Sequence, residues 1–283
     1  MNEQGTIVVD GYPLRYRIEG EGTTVVVIGS ATFYPRLFSE RIRRSLRLVF
    51  VDHRGFVRPP GDAAPHSDAH SLDTVVDDLE RTLASLGLTD VVLAGHSGHA
   101  FMAVAYAQRY PERVRKLALW NAAPTNSRER QEGSFAHFDA FAEPERKAAF
   151  ERDFARLSDD LARDPERRFA HMCIRFGAHS FRDYTYDAAP LWEGVYTNMP
   201  AIDYLWGDEF ARIHLLERLP KLSLPIYLGL GKYDFLVSPN SLWDGADRLA
   251  ADLKKTVFER SGHYPMLEEP ETFDADFAAW ANR

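Results

Sequence analysis

The chain contains a single cysteine, Cys173, among its 283 residues. One thiol excludes an internal disulfide, and sparse cysteine is typical of proteins that work in a reducing compartment. No apolar run reaches the roughly 20 residues that a membrane-spanning helix requires. The polar residues 1–5 do not resemble a signal peptide. We therefore expect a cytoplasmic protein without a membrane span.

Basic residues are scarcer than acidic ones. The chain has 34 lysines and arginines against 42 aspartates and glutamates, a net charge of −8. This balance disfavours nucleic acid or an anionic membrane as a partner. Internal repeats and low-complexity segments are also missing, while a hydrophobic content of 45% suffices to bury a substantial core. We expect a monomer or homodimer that acts on a small molecule.

The motifs of metal and dinucleotide sites are missing as well. The best candidate metal ligands, His66, Asp68 and His70, lie in a loop without an H-x-H-x-D-H or H-E-x-x-H run. A G-x-G run occurs at 229–231, but it comes late in the chain and lacks the continuation of a dinucleotide-binding motif. The sequence therefore predicts no metal ion and no cofactor.

The chain does contain a regular alternation of strand-like and helix-like segments. A hairpin over 6–19, with its turn at Asp10-Gly11, precedes predicted strands at 24–29, 47–52, 91–94 and 114–120. Helices are predicted over 35–46, over the periodic apolar residues that follow Ser71, and from Thr272 to Trp280. This order indicates an α/β fold with a mostly parallel twisted sheet covered by helices on both faces.

The strand rhythm stops between residues 123 and 219. Helix-like polar segments such as 143–161 fill this stretch, so we interpret it as an inserted helical cap, with 1–122 and 220–283 forming the core domain. The second half of the cap is rich in aromatic residues, namely Tyr184, Tyr186, Trp192, Tyr196, Tyr204, Trp206 and Phe210. Some of them are expected to line an apolar cavity for the substrate.

Ser97 lies where a buried strand turns into a helix. The run Gly95-His96-Ser97-Gly98 fits the front of the G-x-S-x-G elbow, in which small neighbours let the chain pass a strained turn with the serine at its tip. The following helix directs its N-terminal dipole at the same point, which favours developing negative charge there. Ser97 is therefore the candidate nucleophile.

An acid and a base follow the serine along the chain, each after a strand-like run. Asp234 ends the apolar run 225–234, and His263 lies in a Gly-His loop after the strand-like residues 256–258. In acyl transfer, a histidine takes the serine proton and returns it to the leaving group, while an ionised carboxylate holds the imidazole in one tautomer. Ser97, Asp234 and His263 are the predicted catalytic triad.

Four further runs resemble the α/β-hydrolase superfamily, and they extend over most of the chain. Residues 25–30 take the place of the first central strand and oxyanion loop, and 51–56 is similar to the D-x-R-G-x segment. Tyr110-Pro111-Glu112-Arg113-Val114 is similar to the Y-P-E-R-V link, and 261–268 to the G-H-x-P-x-x-E ending. The resemblance implies a serine hydrolase with an inserted helical cap.

The resemblance also implies an oxyanion hole, formed by the backbone N–H groups of Ser30 and Gly98. Two departures from the family pattern bear on it. Ile28-Gly29 stands where many members have His-Gly, and the H-G-G-P-G signature of proline iminopeptidases is absent. His99 stands where the elbow normally has its last glycine. Either the elbow is looser than usual, or His99 points into the site.

Candidate substrate-binding residues come from the cap and the elbow. The run Leu191-Trp192-Glu193-Gly194 resembles the W-E-G of iminopeptidase caps, in which the glutamate receives the free amine of the substrate. His99, Trp192, Glu193, Tyr196 and Trp206 are the residues predicted to contact a substrate.

Three functions remain open at this point. The first is hydrolysis of a carboxylic ester or lactone, including bulky or macrocyclic ones, through an acyl-enzyme. The second is an aminopeptidase or amidase similar to proline iminopeptidase, and the third is a ligand receptor that keeps the triad. A perhydrolase or a C–C bond hydrolase would use the same three residues. Epoxide hydrolases and haloalkane dehalogenases place Asp at the elbow, so Ser97 argues against both.

Overall fold

The computed structural model describes residues 2–61 and 70–283. Its strands are β1 (Glu3–Val9), β2 (Tyr12–Glu19), β3 (Thr23–Gly29), β4 (Leu46–Asp52), β5 (Val91–His96), β6 (Val114–Trp120), β7 (Ile226–Gly231) and β8 (Leu253–Phe258). They form one sheet in the order β1-β2-β4-β3-β5-β6-β7-β8. The β1–β2 and β2–β4 pairs are antiparallel and the other pairs are parallel, which confirms the predicted mostly parallel sheet.

Helices cover both faces of the sheet. Along β3, Val26 and Ile28 face the hydrophobic cluster that includes α1 (Leu72–Ser85) and α2 (His99–Arg109). Val25 and Val27 face the opposite cluster, which includes α11 (Pro270–Ala281). Every residue of β5 and β7 is buried. Burial on both faces explains why these strands are continuous apolar runs.

Local signals in the sequence account for the first elements. Asp10 and Gly11 have φ of 48° and 83°, the left-handed backbone that a two-residue hairpin turn requires, and this confirms the predicted turn. The Ser71 hydroxyl accepts from the N–H of Thr74 and caps α1.

The predicted helix over 35–46 is wrong. The structure has two 3₁₀ turns there, Tyr34–Leu37 and Ile42–Arg44, and β4 begins at Leu46. Side chains take the place of a helical ladder, because Ser39 Oγ accepts from two backbone N–H groups and Arg43 donates to three backbone carbonyls. Two short α-helices, α9 (Ala246–Leu249) and α10 (Pro265–Glu268), flank β8.

Helices fill the chain between β6 and β7. They are α3 (Arg128–Phe141), α4 (Pro144–Phe154), α5 (Leu157–Arg163), α6 (Arg168–Arg175), α7 (Gly177–Ser180), α8 (Met199–Ile202) and a π-helical turn at Asp203–Glu209. The segment predicted as helical over 143–161 is thus two helices, α4 and α5. The division into a core and a cap at 123 and 219 stays a prediction. We use "cap segment" for residues 123–219.

Two further predictions concern chain regions rather than elements. The predicted loop at 58–65 extends into 62–69, outside the described residues. No described helix combines the length and apolar character needed to cross a bilayer.

Candidate active site

A cavity of about 490 Å³ lies between the sheet and the cap segment. Ser97 and His263 line it from the carboxyl-terminal side of the sheet, and Phe169, Trp192 and Trp206 line it from the cap segment. Most of its lining is apolar or aromatic, and its polar groups are few. This composition is typical of a pocket for a small organic ligand.

Ser97 is held in a strained turn between β5 and α2. Its φ of 55° is left-handed, and its N–H donates to Trp120 O at 2.8 Å. A Cβ at Gly95 would lie 2.4 Å from His99 O and 2.7 Å from the Ala100 backbone. Glycine is therefore required at 95, because α2 starts directly against the end of β5.

Asp234 and His263 are joined by a hydrogen bond of 2.7 Å from His263 Nδ1 to Asp234 Oδ2, and both residues are buried. Asp234 accepts two further hydrogen bonds, from Asn121 Nδ2 at 2.9 Å and from the N–H of Leu236 at 3.0 Å. These contacts fix the carboxylate and place the imidazole proton on Nδ1, so Nε2 is the basic nitrogen. Ser97 and His263 share the cavity, but the described residues include no hydrogen bond between their side chains.

Asn121 is a site residue that the sequence analysis missed. It directly follows β6, has a φ of 46°, and its N–H donates to Gly229 O at 2.8 Å. Its amide nitrogen donates to both Asp234 Oδ2 and Gly262 O, at 2.9 and 3.0 Å. Asn121 thereby connects the loop that carries Asp234 with the loop that carries His263. A polar residue at the end of an apolar strand-like run was the signal available in the sequence.

The two predicted oxyanion donors lie in different surroundings. Gly98 lines the cavity, whereas Ser30 is buried and is not a lining residue. Ala31 N–H donates to Asp52 Oδ1 at 2.8 Å, and the N–H groups of Thr32 and Phe33 both donate to Ser30 Oγ at 3.2 Å. None of the hydrogen bonds seen among described residues of this loop uses the Ser30 N–H. The oxyanion role of Ser30 stays a prediction.

Trp206 of the cap segment packs directly on the elbow. A Cβ at Gly98 would lie 2.5 Å from both Cε2 and Nε1 of the Trp206 indole. The ring also lies 5.3 Å from the ring of His99 and 4.9 Å from that of Phe210. Glycine at 98 therefore lets the cap segment reach the residue that follows Ser97.

The His99 side chain points inward, into a buried series of hydrogen-bonded polar side chains beside the cavity. Of the two alternatives for position 99, a loose elbow or an inward side chain, the structure has the inward side chain. His53 Nε2 lies 3.1 Å from His99 Nε2. His99 Nδ1 lies 2.9 Å from Tyr34 Oη, which lies 3.2 Å from His96 Nδ1. His96 Nε2 lies 2.7 Å from the carbonyl oxygen of His263.

This series of hydrogen bonds runs from the N–H of Gly55 to the carbonyl oxygen of His263, and these two backbone groups fix the direction of each hydrogen bond between them. Gly55 N–H donates to His53 Nδ1, so neutral His53 donates from Nε2 to His99. The Nδ1–H of His99 is shared between Tyr34 Oη and the carbonyl oxygen of His96, which lies 3.1 Å away. From the other end, a carbonyl only accepts, so His96 donates from Nε2 and its Nδ1 accepts from Tyr34. The two directions agree at the Tyr34 hydroxyl, which accepts one hydrogen bond and donates the other.

Burial keeps these side chains neutral. It lowers the pKa of His99 to about 4 and holds the pKa values of His53 and His96 well below their usual range. Burial also raises the pKa of Tyr34 well above its ordinary value, so the phenol keeps its proton. A protonated His99 would bring its Nε2–H against that of His53 at 3.1 Å, and a protonated His53 would bring its Nδ1–H against the N–H of Gly55 at 3.0 Å. The hydrogen-bond chain therefore requires neutral imidazoles.

Glu268 supports the loop of His263. Its carboxylate accepts from the N–H groups of Gly262 and Tyr264, on either side of His263, at 3.0 and 3.3 Å. It also accepts from the N–H of Arg182 in the cap segment at 2.7 Å. Burial outweighs these donors and raises the pKa of Glu268 to about 7.

The other predicted substrate contacts divide into two groups. His99, Trp192 and Trp206 line the cavity, and Trp192 packs on Phe33 with ring centroids 4.5 Å apart. Glu193 and Tyr196 do not line it.

The side chains of Glu193 and Tyr196 lie away from the cavity. Glu193 is exposed, so its carboxylate offers a substrate amine no partner there. Tyr196 is half-buried under the Arg58 guanidinium, 4.7 Å from the ring centroid.

The candidate metal ligands form no site that the structure describes. His66 and Asp68 lie outside the described residues. Within 2–61 and 70–283, no group of three His, Cys, Asp or Glu side chains is placed to hold a metal ion.

Comparison with known proteins identifies relatives that cover the chain. A family model described as the alpha/beta hydrolase fold matches residues 29–270. The AB hydrolase superfamily protein YclE of Bacillus subtilis strain 168 is 53% identical over 283 residues, which cover 100% of both chains.

Solved structures share the architecture at low identity. An alpha/beta fold family hydrolase from Bacillus anthracis strain Sterne superposes with a TM-score of 0.71 at 20% identity, covering 99% of both chains. An esterase from Exiguobacterium antarcticum superposes with a TM-score of 0.69 at 22% identity, covering 99% of this chain and 100% of the esterase. At this identity the likeness concerns the fold alone.

The direction of the buried hydrogen-bond chain is testable by NMR on protein labelled with ¹⁵N-histidine. At pH 6 we expect His53 and His96 as Nε2–H tautomers and His99 as the Nδ1–H tautomer, because each ring accepts through its other nitrogen. Tyr34→Phe is expected to shift the His96 and His99 resonances. Tyr227→Phe, which removes a buried hydroxyl bonded to Asp276, is the control. An imidazolium at any of the three positions at pH 6 would contradict the assignment.

The raised pKa of Glu268 predicts a pH-dependent stability. The folded state binds this proton more tightly than the unfolded chain, whose pKa is 4.5, so the stabilisation is present below pH 4.5 and is lost as the pH rises through about 7. Relative to Glu268→Gln, the wild type should lose about 3 kcal/mol of unfolding free energy over this range. Urea unfolding from pH 4.5 to 8 measures it, with Glu129→Gln, an exposed site, as control. A difference that does not change with pH would refute the assignment.

Proposed function

Because the chain belongs to the alpha/beta hydrolase fold family, we propose that it is a serine hydrolase that cleaves carboxylic esters or lactones through an acyl-enzyme. One observation carries the proposal: the His263–Asp234 hydrogen bond of 2.7 Å lies beside the cavity into which the strained Ser97 elbow opens. The remaining polar contacts of Asp234 hold that pair in one orientation.

In the first half of the proposed reaction, Ser97 Oγ attacks the carbonyl carbon while His263 Nε2 takes the hydroxyl proton. The oxyanion that forms accepts from the N–H of Gly98 and from the predicted second donor, Ser30. The tetrahedral intermediate then expels the alcohol oxygen, to which His263 returns the proton. The product is an ester of Ser97 with the acyl group.

In the second half, a water molecule attacks the acyl carbon and gives its proton to His263 Nε2. The intermediate collapses, the Ser97 oxygen leaves and regains the proton, and the carboxylic acid departs. Asp234 stabilises the imidazolium in both halves, and Asn121 keeps the carboxylate aligned with Nδ1. The cap segment limits access of water to the cavity, which strengthens these electrostatic contacts.

A thiol is the other nucleophile on the cavity wall. Cys173 lines the cavity, but burial raises its pKa to about 12, so it stays a thiol at neutral pH. It also lacks the elbow geometry and the base that accompany Ser97. The serine is therefore the nucleophile that we assign.

The cavity favours an ester or lactone over an aminoacyl substrate. An aminopeptidase needs an anionic group to receive the substrate ammonium. Asp203 is the acid among the described lining residues, and it forms an ion pair with Arg168. Glu193 is exposed and lies off the cavity. The apolar walls instead suit a bulky acyl or alcohol group.

Removal of the nucleophile gives the decisive test of catalysis. We expect turnover of 4-nitrophenyl butyrate, and a loss of about 10³-fold or more in kcat for Ser97→Ala, because the acyl-enzyme no longer forms. A fluorophosphonate should add to Ser97, as read by peptide mass spectrometry. Ser85→Ala, an exposed position on α1, is the control. Tight ligand binding without turnover would instead favour a receptor.

The aminopeptidase alternative predicts a different dependence. We expect prolyl- and alanyl-naphthylamides to be poor substrates, and Glu193→Gln to leave ester turnover within twofold of wild type, because Glu193 lies outside the cavity. Steady-state rates on both substrate classes measure this. Efficient naphthylamide hydrolysis that falls selectively in Glu193→Gln would establish the aminopeptidase instead.

A further inference from the structure

Arg130 brings a positive charge to the wall of the catalytic cavity. It lies in the first turn of α3 and lines the cavity. Its Nε donates to Thr125 O at 3.0 Å, and its Nη1 donates to Leu236 O at 2.9 Å and to Ser134 Oγ at 3.4 Å. Its Nη2 donates to Asn126 Oδ1. Four of the five guanidinium N–H groups are thus used, which leaves one N–H on Nη2.

No carboxylate forms a direct ion pair with this charge in the part of the chain that the structure describes, although Asp234 attracts it at longer range. Arg168, the other arginine of the lining, is paired with Asp203. Burial lowers the pKa of Arg130 to about 10, so it remains a cation at neutral pH. A partly buried cation paired only with neutral acceptors is unfavourable unless an anion completes it. Among the described residues, the cavity wall therefore carries a guanidinium cation that no carboxylate contacts directly.

A second polar side chain of the lining also lacks a partner. His179 on α7 is 2% exposed, and neither of its ring nitrogens has a hydrogen-bond partner among the described residues. Its ring stacks on Phe138 of α3, with centroids 3.8 Å apart. Burial lowers the pKa of His179 to about 4, so it offers one N–H donor and one acceptor. Buried polar atoms of this kind are normally satisfied by a ligand or by water.

Arg130 and His179 belong to one region of the wall. Arg130 donates to the carbonyl of Leu236, while the carbonyl of His179 accepts from the N–H of Phe235 at 2.9 Å. Arg130 therefore contacts Leu236 and His179 contacts Phe235, the two residues that follow Asp234. Ser134 and Phe138, the neighbours of Arg130 and His179 on α3, are four residues apart and share one helix face.

We propose that Arg130 binds a carboxylate of the substrate, so that the preferred esters carry a carboxylate remote from the bond that is cleaved. A carboxylate would bring one negative charge to the guanidinium, whereas a phosphate monoester dianion would bring two into a mostly apolar cavity. Arginine is also the side chain best suited to a planar carboxylate. This inference rests on the proposed function and names the substrate class.

Matched ester pairs test the proposal. The probes are the mono-4-nitrophenyl esters of succinic, adipic and suberic acid, each compared with the neutral 4-nitrophenyl ester of the same chain length. For at least one length we expect kcat/KM of the carboxylate ester to exceed that of its neutral partner by tenfold or more. Arg130→Met should abolish this preference, measured as the ratio of kcat/KM for the two esters of one chain length. Arg130→Lys should keep part of the preference.

A binding measurement separates this inference from the proposed function. In the Ser97→Ala background, which hydrolyses neither ester, the preferred carboxylate ester should raise the melting temperature. The same ester should have no effect once Arg130→Met is added. If neutral esters are hydrolysed through Ser97, but no carboxylate ester is preferred or raises the melting temperature, carboxylate binding by Arg130 is refuted and the proposed hydrolase activity is supported. If the carboxylate ester stabilises without any Ser97-dependent turnover, the anion site stands and the hydrolase fails.

Discussion

The left-handed backbone of Ser97 is the constraint on which the rest of the site depends. It lets β5 end and α2 begin with only Ser97 and Gly98 between them, so Gly95 must lack a side chain and the helix N-terminus is directed at the serine. The same turn leaves Gly98 open to the Trp206 indole of the cap segment. The strained turn at Ser97 thus sets the positions of the Ser97 hydroxyl, of the Gly98 N–H and of the Trp206 indole that packs on Gly98. The strain is maintained because buried packing on both faces of the sheet leaves the turn no alternative.

The loops around Ser97 are joined by directed hydrogen bonds rather than by ion pairs. From Gly55 to the carbonyl of His263, each group in the buried chain donates once toward the base loop, and Tyr34 is the point where the two halves meet. Asn121 connects the acid loop with the base loop. Neutral groups suit this task because a buried charge would require a counter-charge beside the reacting imidazole.

The sequence was sufficient to predict the sheet and most of its strands, and it placed the three residues that we propose for catalysis at the ends of strands. Each of those three follows a strand, and the carboxyl ends of parallel strands meet at one edge, so position along the chain already implied proximity. The region of 35–46 could not be predicted in this way. Its helix-like composition is overridden by Ser39 and Arg43, whose side chains bond the local backbone.

Side-chain directions in the cap segment were not predictable either. Trp192 and Glu193 are adjacent in the chain, yet one lines the cavity and the other is exposed. Trp192 ends a 3₁₀ turn, Ala189–Trp192, and Glu193 directly follows it; so short a turn has no repeating apolar pattern that would predict its inward face. His99 was ambiguous for a related reason, because its direction depends on Tyr34 and His53, which are distant in sequence.

The charge of the cavity is opposite to that of the whole chain, and this determines how an anionic substrate is selected. A net charge of −8 repels an anion at long range, although salt screens this repulsion beyond about 8 Å at physiological ionic strength. Arg130 acts inside the cavity, whose surface is mostly apolar, so its field is weakened less there than at the protein surface. The chain therefore offers no long-range guidance to a carboxylate, and selection occurs after entry, through a desolvated contact. A small neutral ester would cross the same surface without repulsion but would form no ion pair with the guanidinium.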